Sequence, residues 1–336
     1  MEVSANTVDG LYHEVWNRIK VAGIEQNSRN GPVVSIPEPV LMTLRDPSQR
    51  VLMSPVRDAN PFFHVAEVVW MLAGSADVKF VEKFNRRYRE YADDNEDFVW
   101  GAYGDRWINH WDFDQIQMAI DRLKENPEDR QVVISMWNPI ADLPPFPKHN
   151  DRPCNTQLMF RIVNDALHML VVNRSNDMVW GALGANVVHF TYLQEVICRA
   201  VDVYTMGPYR VVTNNLHVYP EMPNYDKLFS DGCRANHQLE LDSYPVLHDG
   251  ETWDLLHKDC IRAIELVHAG AQGQLPRYEF TTQWMQWVAW PMMQAYLSGP
   301  ASADRGEWIL NVRDDSWRAA ALAWQGRRAA AAEIQV

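Results

Sequence analysis

The sequence contains no apolar run of about 18 residues, the length a helix needs to cross a bilayer, so no membrane span is expected. Residues Met1–Gly10 show neither the apolar core of a secretory signal nor an arginine-rich transit pattern. Cysteine is scarce: Cys154, Cys198, Cys233 and Cys260 are the four in 336 residues. They lie far apart, without CxxC spacing and without histidines at zinc-finger distances. This argues against a disulfide framework or a bound structural metal, and for a reduced, cytoplasmic protein. Positive charge is also short, with 31 Lys and Arg against 44 Asp and Glu, a net charge of −13. Such a chain is repelled by nucleic-acid backbone, so nucleic acid is not an expected partner. A few converging arginines can still build a local pocket for a small anion.

What the chain does have is apolar material, 47% of its residues, enough for a substantial core. Helical spacing runs through Leu11–Val21, Pro61–Gly74, Phe113–Asn126 and Val187–Ala200. Gln131–Trp137, Gln157–Val163 and Leu167–Val172 are short, apolar and rich in β-branched residues, as buried strands are. Tyr209–Tyr219 reads as a last strand. The pattern is α+β, one mixed sheet covered by helices. Residues 1–225 read as a catalytic core and 226–336 as a helical extension packed on the same domain. Within the extension, the Arg- and Ala-rich segment Trp317–Ala332 reads as an exposed helix without chemistry.

Four clusters can carry chemistry. Cys154 stands in Arg152-Pro153-Cys154-Asn155-Thr156, at the mouth of a strand, where Arg152 and the downstream Arg174 would stabilise a thiolate. A buried structural cysteine is the alternative, and the other three cysteines keep that reading. The run Asn173-Arg174-Ser175-Asn176-Asp177 ends a strand in polar groups at a sheet edge. Arg174 suits a phosphate there, because its planar fork donates two hydrogen bonds at once; a solvated loop would look the same. Glu67 lies inside the apolar run His64–Leu72, where a carboxylate is costly unless paired or used. Burial would raise its pKa, as proton transfer requires; a salt bridge is the other reading. His217 and Tyr219 share one face of a strand and suit either a sugar hydroxyl or the core.

In this order, the clusters resemble thymidylate synthase and its relatives, the phage deoxycytidylate hydroxymethylases and the cytidylate hydroxymethylases of nucleoside-antibiotic pathways. The likeness covers about Arg29–Tyr219. It rests on helical Glu67, Tyr103-Gly104-x-x-Trp107, Asp129-Arg130, Trp137-Asn138, Pro153-Cys154, Arg174-Ser175-x-Asp177 and His217-x-Tyr219. The resemblance implies a homodimer with a shared phosphate site, a pyrimidine nucleoside monophosphate as substrate and 5,10-methylenetetrahydrofolate as cofactor. Cys154 would add to C6 of the base and activate C5, and Glu67 would move protons. Tyr103 would lie near the thiol. Arg29, Arg174 and Ser175 would hold the phosphate, with Arg130 arriving from the partner subunit. His217 and Tyr219 would hold the ribose. Asp177, Tyr88, Tyr91, Trp180 and Gly181 would line the folate site.

Four departures from the synthase pattern favour adding water to the transferred methylene rather than hydride. Asn155-Thr156 follows the nucleophile, where synthases have histidine. Val172–Asp177 matches a phage hydroxymethylase run. Tyr88 and Tyr91 replace a tryptophan pair, and the apolar closing tail has no counterpart in Ala332–Val336. The residue that reads the base falls eleven positions after Arg174, on Ala185, or on Asn186 with one inserted residue. The expected reaction is C5 hydroxymethylation of CMP or dCMP. The alternatives are action on dUMP, as a synthase or a hydroxymethylase, and an inactive nucleotide- or RNA-binding paralogue.

Overall fold

The helices start where the sequence provides caps. In the computed structural model, which describes residues 1–231, 240–270, 278–300, 302 and 304–334, Asn60 accepts from the Phe62 and Phe63 amides at 3.1 and 3.2 Å. Pro61 fills the first turn. The helix ends at Ala73, and Gly74 turns the chain away with φ of 66°. In chain order the elements are β1 (Glu2–Ala5), α1 (Val8–Ala22), β2 (Ile24–Ser28), β3 (Gly31–Ser35), β4 (Val40–Leu44), α2 (Pro61–Leu72), α3 (Val78–Val81), α4 (Tyr103–Ile108) and α5 (Gln115–Glu125). There follow β5 (Val133–Ser135), α6 (Pro139–Asp142), β6 (Asn155–Val163), β7 (Ala166–Asn173), β8 (Asn176–Asp177), α7 (Val187–Ala200), β9 (Thr205–Thr213) and β10 (Leu216–Val218). After them come α8 (Tyr225–Asp231), α9 (Trp253–Ala269), α10 (Trp290–Leu297), α11 (Asp304–Leu310) and α12 (Asp315–Ile334). A 3₁₀ turn spans Arg86–Tyr91, and a π-helix spans Met178–Asn186.

The α+β expectation holds, but the strands form two sheets rather than one. The larger is ordered β1-β4-β9-β7-β6-β5 and the smaller β2-β3-β10-β8. The segment Tyr209–Tyr219 is correspondingly two strands. β9 leaves the large sheet at Thr213 and β10 enters the small one at Leu216. Its neighbour does the same, since β7 ends at Asn173 and β8 begins at Asn176. The two chains are parallel before the crossing (Asn173↔Thr213) and after it (His217↔Asp177). Between these points they stay bonded, Asn214 N–H to Asn173 C=O at 3.0 Å and Asn176 N–H to Asn215 C=O at 2.9 Å. A paired crossing of this kind exposes strand-end side chains without leaving their backbone groups unpaired.

One face of β7 and β9 is buried under α7, on which α2 packs; α2 is itself covered by α9, α10 and α12 and is buried along its whole length. The segment Trp317–Ala332 is thus exposed only in part: its first half packs inward, while Arg328, Ala329 and Ala330 are exposed as its composition suggests. Trp317 and Ala321 are buried, and the Trp317 indole N–H donates to the Tyr192 hydroxyl at 2.7 Å. Further along α12, Arg327 and Arg328 both pair with Asp58, at 2.9 and 2.6 Å. Cys198 and Cys260 are buried and free, as expected of structural cysteines; Cys233 and Gln335–Val336 lie outside the described residues. Among the described residues no helix is long and apolar enough to cross a membrane.

Candidate active site

Cys154 directly precedes β6, beside the crossing. Its carbonyl accepts from the Arg174 amide at 2.9 Å, so the cysteine, Arg174 and Asn214 lie level across neighbouring strand ends. Tyr103, at the start of α4, accepts at its hydroxyl from the amides of Cys154 and Asn155, at 3.2 and 3.3 Å. Burial pushes the thiol above its ordinary value; Arg174 and Arg29 pull it down, while Asp151 and Asp177 push it up. It therefore rests protonated at neutral pH, and any reaction through it must first take that proton away. Arg152 does not stand beside the thiol as expected. Its guanidinium is used on the carbonyls of Asp142, Pro144 and Pro147, which ties down its own loop. Arg174 anchors through Nε to the Pro153 carbonyl at 2.9 Å and stays exposed.

Beneath the thiol the residue after it is fully buried. Asn155 accepts from Asn173, which in turn accepts from the Thr213 hydroxyl at 3.1 Å. This ladder crosses β6, β7 and β9 and explains polar residues on the inner face of otherwise apolar strands.

The opposite wall is helical. Glu67, 2% exposed, accepts at Oε1 from the Tyr88 hydroxyl at 2.8 Å. Its Oε2 lies 2.9 Å from His189 Nε2 on α7, an ion-pair distance without hydrogen-bond alignment. The buried carboxylate is paired, as physical chemistry demands. Tyr91 is 48% exposed with its ring 5.3 Å from that of Tyr88, and it feels the charges of Asp151, Glu67 and Asp177.

Asp177 caps the π-helix through one oxygen, accepting from the Val179 and Trp180 amides at 2.6 and 2.9 Å. Burial raises its carboxyl despite those bonds and the neighbouring His217. The wide π turn absorbs one more residue than an α-helix would, and Asn186 ends it buried, donating to Asn176 Oδ1 at 3.3 Å. Ala185 makes no such contact, so the inserted-residue count points to the better-placed side chain. Gly181 is needed for space rather than for backbone freedom: a Cβ there would meet Asn176 Oδ1 at 2.2 Å. Trp180, 43% exposed, stacks on the Arg57 guanidinium at 4.1 Å. Arg57 also donates to the Val179 carbonyl at 3.0 Å, so the 51–59 loop supports this wall.

Ser175 donates to Asn215 Oδ1 at 3.3 Å, and His217 Nδ1 lies 2.9 Å from the same oxygen. The His217 and Tyr219 rings meet edge to face at 5.2 Å, on one side of the strand as expected. Arg29, exposed in the β2–β3 turn, is close enough to act on Cys154 electrostatically. Arg130 is exposed and remote. With Val133 opposite Met159, continuing the register puts it level with Ile162, near the end of β6 farthest from Cys154, about 25 Å of strand away. Three contributors carried no signal in the sequence. His189 reads as one polar residue in an apolar helix, and Asn215 as one residue of the continuous strand Tyr209–Tyr219. Asp151, pushed up to about 6 chiefly by burial, is merely a loop aspartate until folding sets it against Gly101 and beside the thiol.

The site thus gathers a half-buried thiol, arginines near it and a buried carboxylate paired from two elements. The family model for thymidylate synthase matches residues 11–257. A deoxyuridylate hydroxymethyltransferase of Pseudomonas phage M6 is 39% identical over 99% of this chain and 96% of its own. Proteins of the same name from Bacillus phage SP01 and Delftia phage PhiW-14 are 33% and 34% identical, over 72% and 65% of this chain and 64% and 62% of theirs. The crystal structure of thymidylate synthase from T4 phage superposes with a TM-score of 0.59 at 20% identity, covering 76% of this chain and 91% of that one. The chain belongs to the thymidylate synthase family and is a one-carbon transferase.

Proposed function

We propose that this enzyme hydroxymethylates dUMP at C5, drawing the one-carbon unit from 5,10-methylenetetrahydrofolate and the oxygen from water. This replaces the cytidylate substrate expected from the sequence, because the three relatives carry deoxyuridylate in their names. Asn186 is compatible with the change. One amide N–H goes to Asn176, leaving its carbonyl and second N–H to face N3–H and O4 of uracil.

Cys154 is the nucleophile at C6, which turns C5 into a carbon nucleophile. The Tyr103 hydroxyl accepts two amides and keeps its own proton to donate toward the adduct. Arg174 and Arg29 bind the 5′-phosphate with Ser175, and Arg130 joins them from a second subunit. His217 and Tyr219 hold the sugar hydroxyl. Glu67 exchanges protons with the water that adds to the exocyclic methylene. Methylenetetrahydrofolate supplies a methylene at the oxidation level of formaldehyde. The site suits it: Asp177 leaves Oδ2 without a hydrogen bond from any described residue, and Tyr88, Tyr91, Trp180 and Gly181 form the surface its flat ring would lie against.

The observation that carries water over hydride is the Tyr88 hydroxyl on Glu67 at 2.8 Å, which puts a polar, water-ordering group where an apolar shield would be needed. The test incubates enzyme and methylenetetrahydrofolate with dUMP, UMP, dCMP or CMP and weighs the products. A gain of CH2O on dUMP supports the proposal. A gain of CH2 with dihydrofolate formed would make the enzyme a synthase, and reaction of a cytidylate alone would restore the first expectation.

A further inference from the structure

We propose that His189 is the positioning residue for Glu67, holding Oε2 from α7 while Tyr88 holds Oε1, so that one carboxylate orientation meets the water that adds to the transferred methylene; this rests on the hydroxymethylase reading. The two contacts lie at 2.9 and 2.8 Å and come from different elements. The carboxylate is therefore fixed by a clamp and not by the helix it stands on. Both partners of the ion pair are almost wholly buried, 1% and 3% exposed at the side chain. An apolar pair of the same volume is often as stable or more so, so stability alone does not account for a histidine here.

The surroundings isolate the pair. His64, one turn before Glu67 on α2, is pushed down to about 3, chiefly by burial and then by the charges of Arg57 and His189, so it stays neutral. From the 3₁₀ turn Tyr88 and Tyr91 face Glu67, and burial holds both phenols above their ordinary range. Glu67 and His189 thus lie against each other with no other charged group interposed between Oε2 and Nε2. Nδ1 of His189 is buried with no hydrogen-bond partner among the described residues, so nothing in the fold itself requires an imidazole here. Glutamine could fill much of the same volume and still reach Oε2. A histidine at this spot is explained by what it does to Glu67.

The test uses the full-length enzyme with dUMP and methylenetetrahydrofolate. His189→Ala is expected to lower kcat by about a hundredfold, the scale of losing one well-placed proton-transfer group, with the KM for dUMP changed by less than about threefold. His189→Gln, whose amide can reach Oε2, is expected to recover most of kcat but to alter the acid limb of the pH–rate profile, because an amide does not titrate. Wild-type kcat in His189→Ala, an unchanged acid limb in His189→Gln, or a parallel rise in KM would overturn the proposal. If His189→Ala does not fold, His189→Gln alone decides through its pH profile. The mass of the wild-type product separates failure of this inference from failure of the hydroxymethylase reading.

Discussion

The two walls of the site are built by different rules. On the strand-end wall, functional side chains are held by backbone close by: Arg174 by the Pro153 carbonyl, Asp177 by the amides it caps, Cys154 by its place ahead of β6. On the helical wall they are held by each other across elements, Glu67 by Tyr88 and His189. A substitution on the first wall removes one function and leaves the scaffold. A substitution on the second unpairs a buried charge and spreads.

The contrast can be broken most sharply at Cys154. Cys154→Ala should abolish turnover while dUMP binding measured by calorimetry and the melting temperature stay close to wild type; retained turnover would remove covalent catalysis altogether. Next in size is Gly181→Ala, which pushes a methyl group into Asn176 Oδ1. It should cost about 1–3 kcal/mol of stability by denaturant titration, the range for overpacking, and a neutral result would mean that the wall between β8 and the π-helix is soft. The helical wall also has a pH signature. Because His64 is held down to about 3 in the folded state, its contribution is present above its ordinary value and is lost as pH falls. Stability should decline by up to about 1.4 kcal/mol per pH unit from about pH 6.5 downward. His64→Gln should flatten that slope in denaturant titrations at pH 7 and 5; parallel slopes would refute the burial account. The smallest effect is expected from Asp151→Asn. Removing one charge that pushes the thiol up should speed iodoacetamide alkylation of Cys154 a few-fold at fixed pH, and a slower rate would assign Asp151 a different task.

Legibility followed the same division. α2, α5, α7, β6 and β7 show their periodicity because each has one apolar face or is wholly buried, and the Cys154, Arg174 and Asp177 clusters stand out as polar interruptions at strand ends. The two-sheet crossing did not show. From Tyr209 to Tyr219 the apolar alternation continues across Asn214-Asn215, and which sheet a strand joins depends on partners far away in the chain. The first half of α12 misled for a related reason. Alanine and arginine give a weak pattern, and the burial rests on Trp317, Ala321 and Trp324, three to four residues apart. His189 and Asp151 acquire meaning only through neighbours that folding supplies. Arg152 misled by adjacency: it lies in the irregular segment before β6, and its guanidinium turns back onto the carbonyls of Asp142, Pro144 and Pro147.

Gly181 carries a wider lesson. It bears no functional group, accepts no proton and touches no reacting atom, yet the space above its Cα is occupied by the Asn176 side chain. In an exhaustive substitution survey scored by product formation, replacements at position 181 would register as losses through folding, the larger side chains most. Intolerance on such a map marks where the enzyme has no room as readily as where it has chemistry, and separating the two requires the stability of each variant to be scored alongside its turnover.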